Sequence, residues 1–187
     1  MSDLTLTPET IQEYANAADR NLTAPSLEEN PSYHQGKEAG LGSWTEVVKI
    51  HDTDMANTKS DPSNDNKFNF VTVLSVQGPE SGGFKTNAGR THYQYFFIDK
   101  TALSSADTRV SGSYKRRLAT INSLLSAVGV DLAAGVASYK SWFAPNGTDK
   151  PLVGQTVVAA FRKYRNTKTG ETGVDIDGFM PMATSTK

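Results

Sequence analysis

The sequence contains no cysteine. That absence excludes a disulfide framework, thiol catalysis and any cysteine-ligated zinc site, and it fits a reducing compartment. Long apolar runs are missing as well; none approaches the roughly 18 residues that a membrane-spanning helix needs. The opening MSDLTLTPET has no basic stretch followed by an apolar one, so no secretory signal is expected. Histidine is scarce: His34, His51 and His92 are scattered and supply neither an HExxH pair nor another paired metal site. No G-x-S-x-G nucleophile elbow occurs. GPESGGFKT comes near a phosphate loop, but Phe84 separates Gly83 from Lys85 and breaks the G-x-x-x-x-G-K-[ST] spacing. Together these absences describe a cytoplasmic chain with no membrane partner, no cofactor and no signature of catalysis.

What is present is a polar chain of 187 residues, 37% apolar and 21% charged, so part of it is expected as tail or loop. Charge is unevenly placed. Residues 1 to 31 hold six carboxylates against Arg20 alone, net −5; with −1 on the whole chain, the rest carries +4. A mildly basic body with an acidic arm points to a polyanion as partner of the body, with a solvated tail as the plainer account of the arm.

The segment 1–42 begins with a short helix, capped by Thr7 with Pro8 at its first position, and continues as a linker rich in Pro, Gly and polar residues. A body over 43–181 follows, and 182–187 form a short tail. Strands are expected at 43–50, 67–77, 91–100, 152–166 and through ETGVDIDGFMPM, with polar loops at 51–66 and 78–90. The last two strands form a hairpin around TKTG. Between the third and fourth lies a helix in SGSYKRRLATINSLLSAVGVD, with Tyr114, Leu118, Ile121, Leu125 and Val128 on one face, a cap at Ser111 or Ser113 and a stop at Gly129. The order β-β-β-α-β-β is that of the OB-fold, a five-stranded Greek-key barrel that binds oligonucleotides and oligosaccharides. Another small α+β sheet with the same count is the alternative.

The third strand, HYQYFFID, is the densest aromatic stretch. Alternation puts His92, Gln94, Phe96 and Ile98 on one face and Tyr93, Tyr95 and Phe97 on the other. Phe96 and Ile98 mark the first set as inner. The outward rings are then either a platform for stacking bases or a surface covered by the arm or a partner subunit. Basic residues cluster in three places: Arg109, Lys115, Arg116 and Arg117 at the start of the helix, where cations oppose its dipole; Arg162, Lys163, Arg165 and Lys168 with Tyr164 around the last hairpin; and Lys85 and Arg90 in the glycine-rich connection. Cations interleaved with aromatics on strands and hairpins are the ingredients of a single-strand groove, against a plain reading as solvated surface. Asp52 and Asp54 with His51, and Asp175 with Asp177, are the acids that could hold a metal.

The segments VVKIHDTDMANTK, FNFVTVLSVQ, GRTHYQYFFID, RRLATINSLLSAVGVD and PLVGQTVVAAFRKYRNTKTGETGVDIDGFMP resemble small phage replication proteins, and among them phage single-stranded DNA-binding proteins of OB-fold type. A leucine-rich helix ending in AVGV, followed after a spacer by LVGQ, carries most of the likeness. The resemblance implies binding of single-stranded DNA in phage replication or recombination, in the host cytoplasm and without catalysis. It places DNA contacts on Tyr93, Tyr95, Phe97, Arg162, Lys163 and Arg165. Many such proteins end in an acidic tail, whereas this chain ends in MPMATSTK and carries its acids at the other end. Replication proteins and further copies of the chain are the other partners considered, and RNA is left open beside DNA. The rival functions are a protein-interaction module, a replisome or virion adaptor, on the same barrel, and a metal-dependent nuclease built on Asp175 and Asp177.

Overall fold

A computed structural model describes residues 3–18, 43–78, 89–166 and 169–182. The chain is mainly β. Its elements run α1 (Pro8–Ala18), β1 (Ser43–Asn57), β2 (Lys67–Gly78), β3 (Thr91–Asp99), α2 (Lys100–Leu103), α3 (Thr108–Ala127), a 3₁₀ turn (Leu132–Ala134), α4 (Lys140–Phe143), β4 (Thr156–Arg165) and β5 (Thr172–Met180). All five strands pair antiparallel in one open sheet of order β3-β2-β1-β4-β5.

Period-two alternation sets the faces. Phe68, Phe70, Thr72, Leu74 and Val76 of β2 are buried, as are Gln94, Phe96 and Ile98 of β3, while Tyr93 and Tyr95 point outward. β1 is longer than expected and runs through HDTDMAN. A register shift between Ile50 and Asp52 turns the strand so that Thr53 and Met55 face inward beyond it. This bulge is why a polar stretch that reads as loop is strand. β4 is shorter than expected, because 151–154 form a turn that buries Leu152.

The edges of the sheet come together. Four strand spacings of about 4.8 Å would hold β3 and β5 about 19 Å apart in a flat sheet. Instead Gln94 Nε2 of β3 donates to Asp175 Oδ1 of β5 at 2.7 Å, and the His92 ring meets Phe161 of β4 edge-on at 5.2 Å. The sheet is therefore strongly curled, although no ladder joins its edges among the described residues.

Helix α3 closes half of that seam. Its N-cap is Asp107, whose side chain accepts from Arg109 N, so the helix begins earlier than the expected cap at Ser111 or Ser113, and Ser111 is buried within it. Gly129, at φ +90°, follows the C-cap as expected. Leu118, Ile121, Leu124 and Leu125 enter the core. On an adjoining stripe, spaced three apart, Arg117 Nη1 donates to Phe97 O (3.0 Å), Thr120 Oγ1 lies 3.1 Å from Asp177 O, and Ser123 Oγ accepts from Phe179 N (2.9 Å). These side chains pair edge groups of β3 and β5 that no strand reaches.

The N-terminal segment belongs to the same core. Leu4, Leu6, Ile11 and Tyr14 are buried with it, and Leu6 exchanges backbone hydrogen bonds with Val136 at 3.0 and 2.9 Å. A boundary drawn at 42/43 separates residues 3–18 from the body, whereas the structure packs them into it; the linker lies outside the described residues. No helix among the described residues is long and apolar enough to cross a membrane.

Candidate nucleic-acid interface

The half of the seam that α3 leaves open is a cleft of about 320 Å³. Four elements build it, β5 with Val174, Asp175 and Ile176 on its floor. β3 supplies Tyr93 and Tyr95, 57% and 60% exposed; β4 supplies Tyr164, 39% exposed; α3 supplies Arg117. Among the described residues only six large apolar side chains are exposed, and the three aromatic ones all line this cleft. Tyrosines lose about two rotors' worth of entropy when fixed, and their rings otherwise favour burial, so three together on one concave surface mark a site of contact.

Each ring is held from below. Val73 pairs with Tyr93 and Val71 with Tyr95 on the same outer face. Tyr164 lies over Gly173 of β5, where a Cβ would stand 2.5 Å from the ring. Phe97 continues the outer row but is half-buried, meeting Tyr114 edge-on at 5.8 Å. It supports the cleft wall more than it offers a free face. Arg117 lies 5.0 Å above the same Tyr114 ring, a cation–π contact that fixes the guanidinium at the cleft's end.

Beneath the rings runs a chain of polar groups. His92 Nε2 and Gln94 Oε1 are 3.1 Å apart, Gln94 Nε2 donates to Asp175 Oδ1, and Arg162 Nη2 donates to Asp175 Oδ2 at 3.2 Å. Arg162 Nε lies 2.7 Å from Asp177 Oδ1. The acceptor at Asp175 fixes the Gln94 amide, which in turn requires the hydrogen on His92 Nε2. Burial pushes the His92 imidazole below its ordinary value, and the Gln94 hydrogen bond and the charges of Asp175 and Glu46 oppose that shift only in part.

The expected contact residues divide between several places. Tyr93, Tyr95, Phe97, Tyr164 and Arg117 come together at the cleft. Arg162 is held between Asp175 and Asp177, so its charge is committed to these acids before it meets any ligand. Those acids, weighed as a metal pair, both face this arginine, and among the described residues no three His, Asp or Glu side chains are grouped for a metal. Lys115 is elsewhere: it pairs with Glu13 of α1 and lines a second cleft of about 430 Å³ between the N-terminal segment, α2 and α3. Arg116 is exposed beside the seam stripe. With the helix starting at Thr108, Lys115, Arg116 and Arg117 lie beyond the first turn, so the dipole argument applies to Arg109 alone. Arg90 precedes β3 and lines a small pocket with Glu46 and His92. Lys163 is half-buried opposite Val174. Lys85, Lys168 and the side chain of Arg165 lie outside the described residues.

Two relationships at the site are not read from the sequence: the bond Gln94 makes to Asp175, and the place of Asp52 and Asp54 on the outer face of the sheet. Gln94 stands in the sequence as an amide on an inward strand face, a signal for a buried polar link. Asp52 and Asp54 share the outer face with Val73 and Val71. Asp52 is paired with Lys150 Nζ at 2.7 Å, and that bond draws its carboxyl below the usual range; Asp54 is exposed.

No family model matches this chain, and no curated protein is significantly similar to it.

Proposed function

We propose that the protein binds single-stranded DNA along the seam between β3 and β5, without sequence-specific chemistry at most positions and without catalysis. The observation that carries this reading is the convergence of Tyr93, Tyr95 and Tyr164 on one cleft with Arg117 at its end. Every base has a π-face, so tyrosines at a groove grip bases generally, while arginine meets the phosphates. From Arg90, just ahead of β3, to Phe97 the extended chain covers about 23 Å at about 3.3 Å per residue. A cation stands near each end of that path, enough for a short site at the low end of the 4–16 nucleotides that such grooves cover. Asp54 on β1 disfavours a path across the sheet and favours one along the seam.

The curled sheet supports an OB-fold barrel as the architecture. β1 pairs with both β2 and β4, β3 and β5 are the closing edges, and the long helix sits between β3 and β4. The likeness of the segments to phage single-strand binders supports a role in phage DNA replication or recombination.

Titration of a labelled mixed-sequence oligonucleotide tests the reading. Single strands should bind with low- or sub-micromolar affinity, duplex much more weakly, and log K should fall by about 0.7 per phosphate contacted for each decade of salt. Equal affinity for duplex, or no salt dependence, would refute it. Unchanged mobility would favour an interaction module, and strand cleavage on adding Mg²⁺ or Mn²⁺ a nuclease.

A further inference from the structure

The cleft contains one acid. A carboxylate in a groove meant for a polyanion works against phosphate binding, so its presence calls for a different use. Asp175 Oδ1 is saturated, accepting from Gln94 Nε2 at 2.7 Å and from its neighbour Ile176 N at 2.9 Å. Oδ2 accepts only from Arg162 Nη2, at 3.2 Å, among the described residues. A carboxylate oxygen can take a second donor. The side chain is 32% exposed where it lines the cleft with Tyr93, Tyr95 and Tyr164. Gln94 offers less: its Nε2 donates to Asp175 Oδ1 and to Tyr95 O at 3.4 Å, its Oε1 lies 3.1 Å from His92 Nε2, and the side chain is buried. At the other end Arg117 donates one N–H to Phe97 O, lies over the Tyr114 ring and lines the cleft.

We infer that this cleft selects bases carrying an exocyclic amino group, cytosine above thymine, through Asp175 Oδ2. The inference rests on the single-strand reading. A base stacked on the tyrosine rims, with its phosphate toward Arg117, turns its pairing edge to the cleft floor. There a carboxylate accepts from cytosine N4, a pairing that acids make with cytosine. Thymine presents O4 at the same place, acceptor against acceptor, and its N3–H is flanked by two carbonyls. The remaining stacking surface is indifferent to the base, so the preference belongs to one nucleotide of the bound strand.

The test uses the full chain and fluorescence anisotropy at pH 7.5. Its ligands are dC12, dT12, a dT12 strand with one central cytosine, and that strand with pyrimidin-2-one, which lacks the amino group, in its place. The expected result is dC12 about tenfold tighter than dT12. The single-cytosine strand should fall between them, and the pyrimidinone strand should return to the dT12 value. Asp175→Asn, whose amide can present a donor or an acceptor, should bring the two homopolymers within about twofold. The pyrimidinone arm decides the matter even if that variant folds poorly. If dT12 binds as tightly as dC12, if pyrimidinone matches cytosine, or if the preference survives in Asp175→Asn, the base selection is overturned while the single-strand reading stands. If neither homopolymer binds, both fall.

Discussion

Gln94 of β3 and Asp175 of β5 meet at 2.7 Å between the strands at the two ends of the sheet's hydrogen-bonding order. This bond ties the curl of the sheet to the shape of the cleft. Replacing Gln94 with Leu removes the link and leaves His92 Nε2 and one lone pair of Asp175 without a partner. Stability should fall by about 1–3 kcal/mol, read from urea unfolding midpoints. A loss below a few tenths would show that the edges are held by α3 alone.

Neighbours on β3 should separate cleanly. Phe96 is 3% exposed and Tyr95 60%. Phe96→Ala should cost about 3–5 kcal/mol of folding stability. Tyr95→Ala should leave the thermal midpoint nearly unchanged and weaken single-strand binding by about 1–3 kcal/mol. Melting curves of the two variants, measured side by side, check the assignment of faces.

Gly173 offers a test that leaves every contacting side chain in place. A methyl group there would collide with the Tyr164 ring, whose end is free to swing outward. Gly173→Ala should therefore change stability by less than about 1 kcal/mol. It should lower single-strand affinity as Tyr164→Ala does, as measured by anisotropy.

His92 gives the fold a pH dependence of known sign. Its imidazole is held below the ordinary value of about 6.5 by burial, against Gln94, Asp175 and Glu46. The unfolded chain therefore takes up this proton first as pH falls. The contribution is present in full above about pH 6.5 and is lost progressively below it, down to the folded value. Unfolding midpoints should decline from pH 7 to pH 5, and His92→Phe should flatten that slope. An NMR titration of the His92 ring protons gives the folded value directly.

Much of this architecture was legible in the chain. Alternation alone separated Phe96 and Ile98 from Tyr93 and Tyr95, and the 4-3-4 spacing found the inner face of α3, because both patterns follow from backbone periodicity. The outer half of β1 was hidden, since a bulge lets HDTDMAN alternate out of phase with the residues before it. Leu4 and Leu6 looked like part of a solvated arm; two leucines in a polar stretch carry no period, and only the partner at Val136 explains their burial. At the site, the tyrosines and Arg117 were recognisable by type. The pairing of Arg162 with Asp175 and Asp177 was not, because β5 brings those acids to it through a register shift at Ala160/Phe161.

We propose that the exposed tyrosines of the seam hold single-stranded DNA. The most direct test is the affinity of a labelled 12-nucleotide single strand for the wild-type chain and for Tyr95→Ala/Tyr164→Ala, with folding checked by circular dichroism. Removing two stacking rings should cost about 2–6 kcal/mol together, at about 1–3 kcal/mol per base, and so abolish measurable binding at micromolar protein. Wild-type affinity in the folded double variant would show that the tyrosines do not hold the strand.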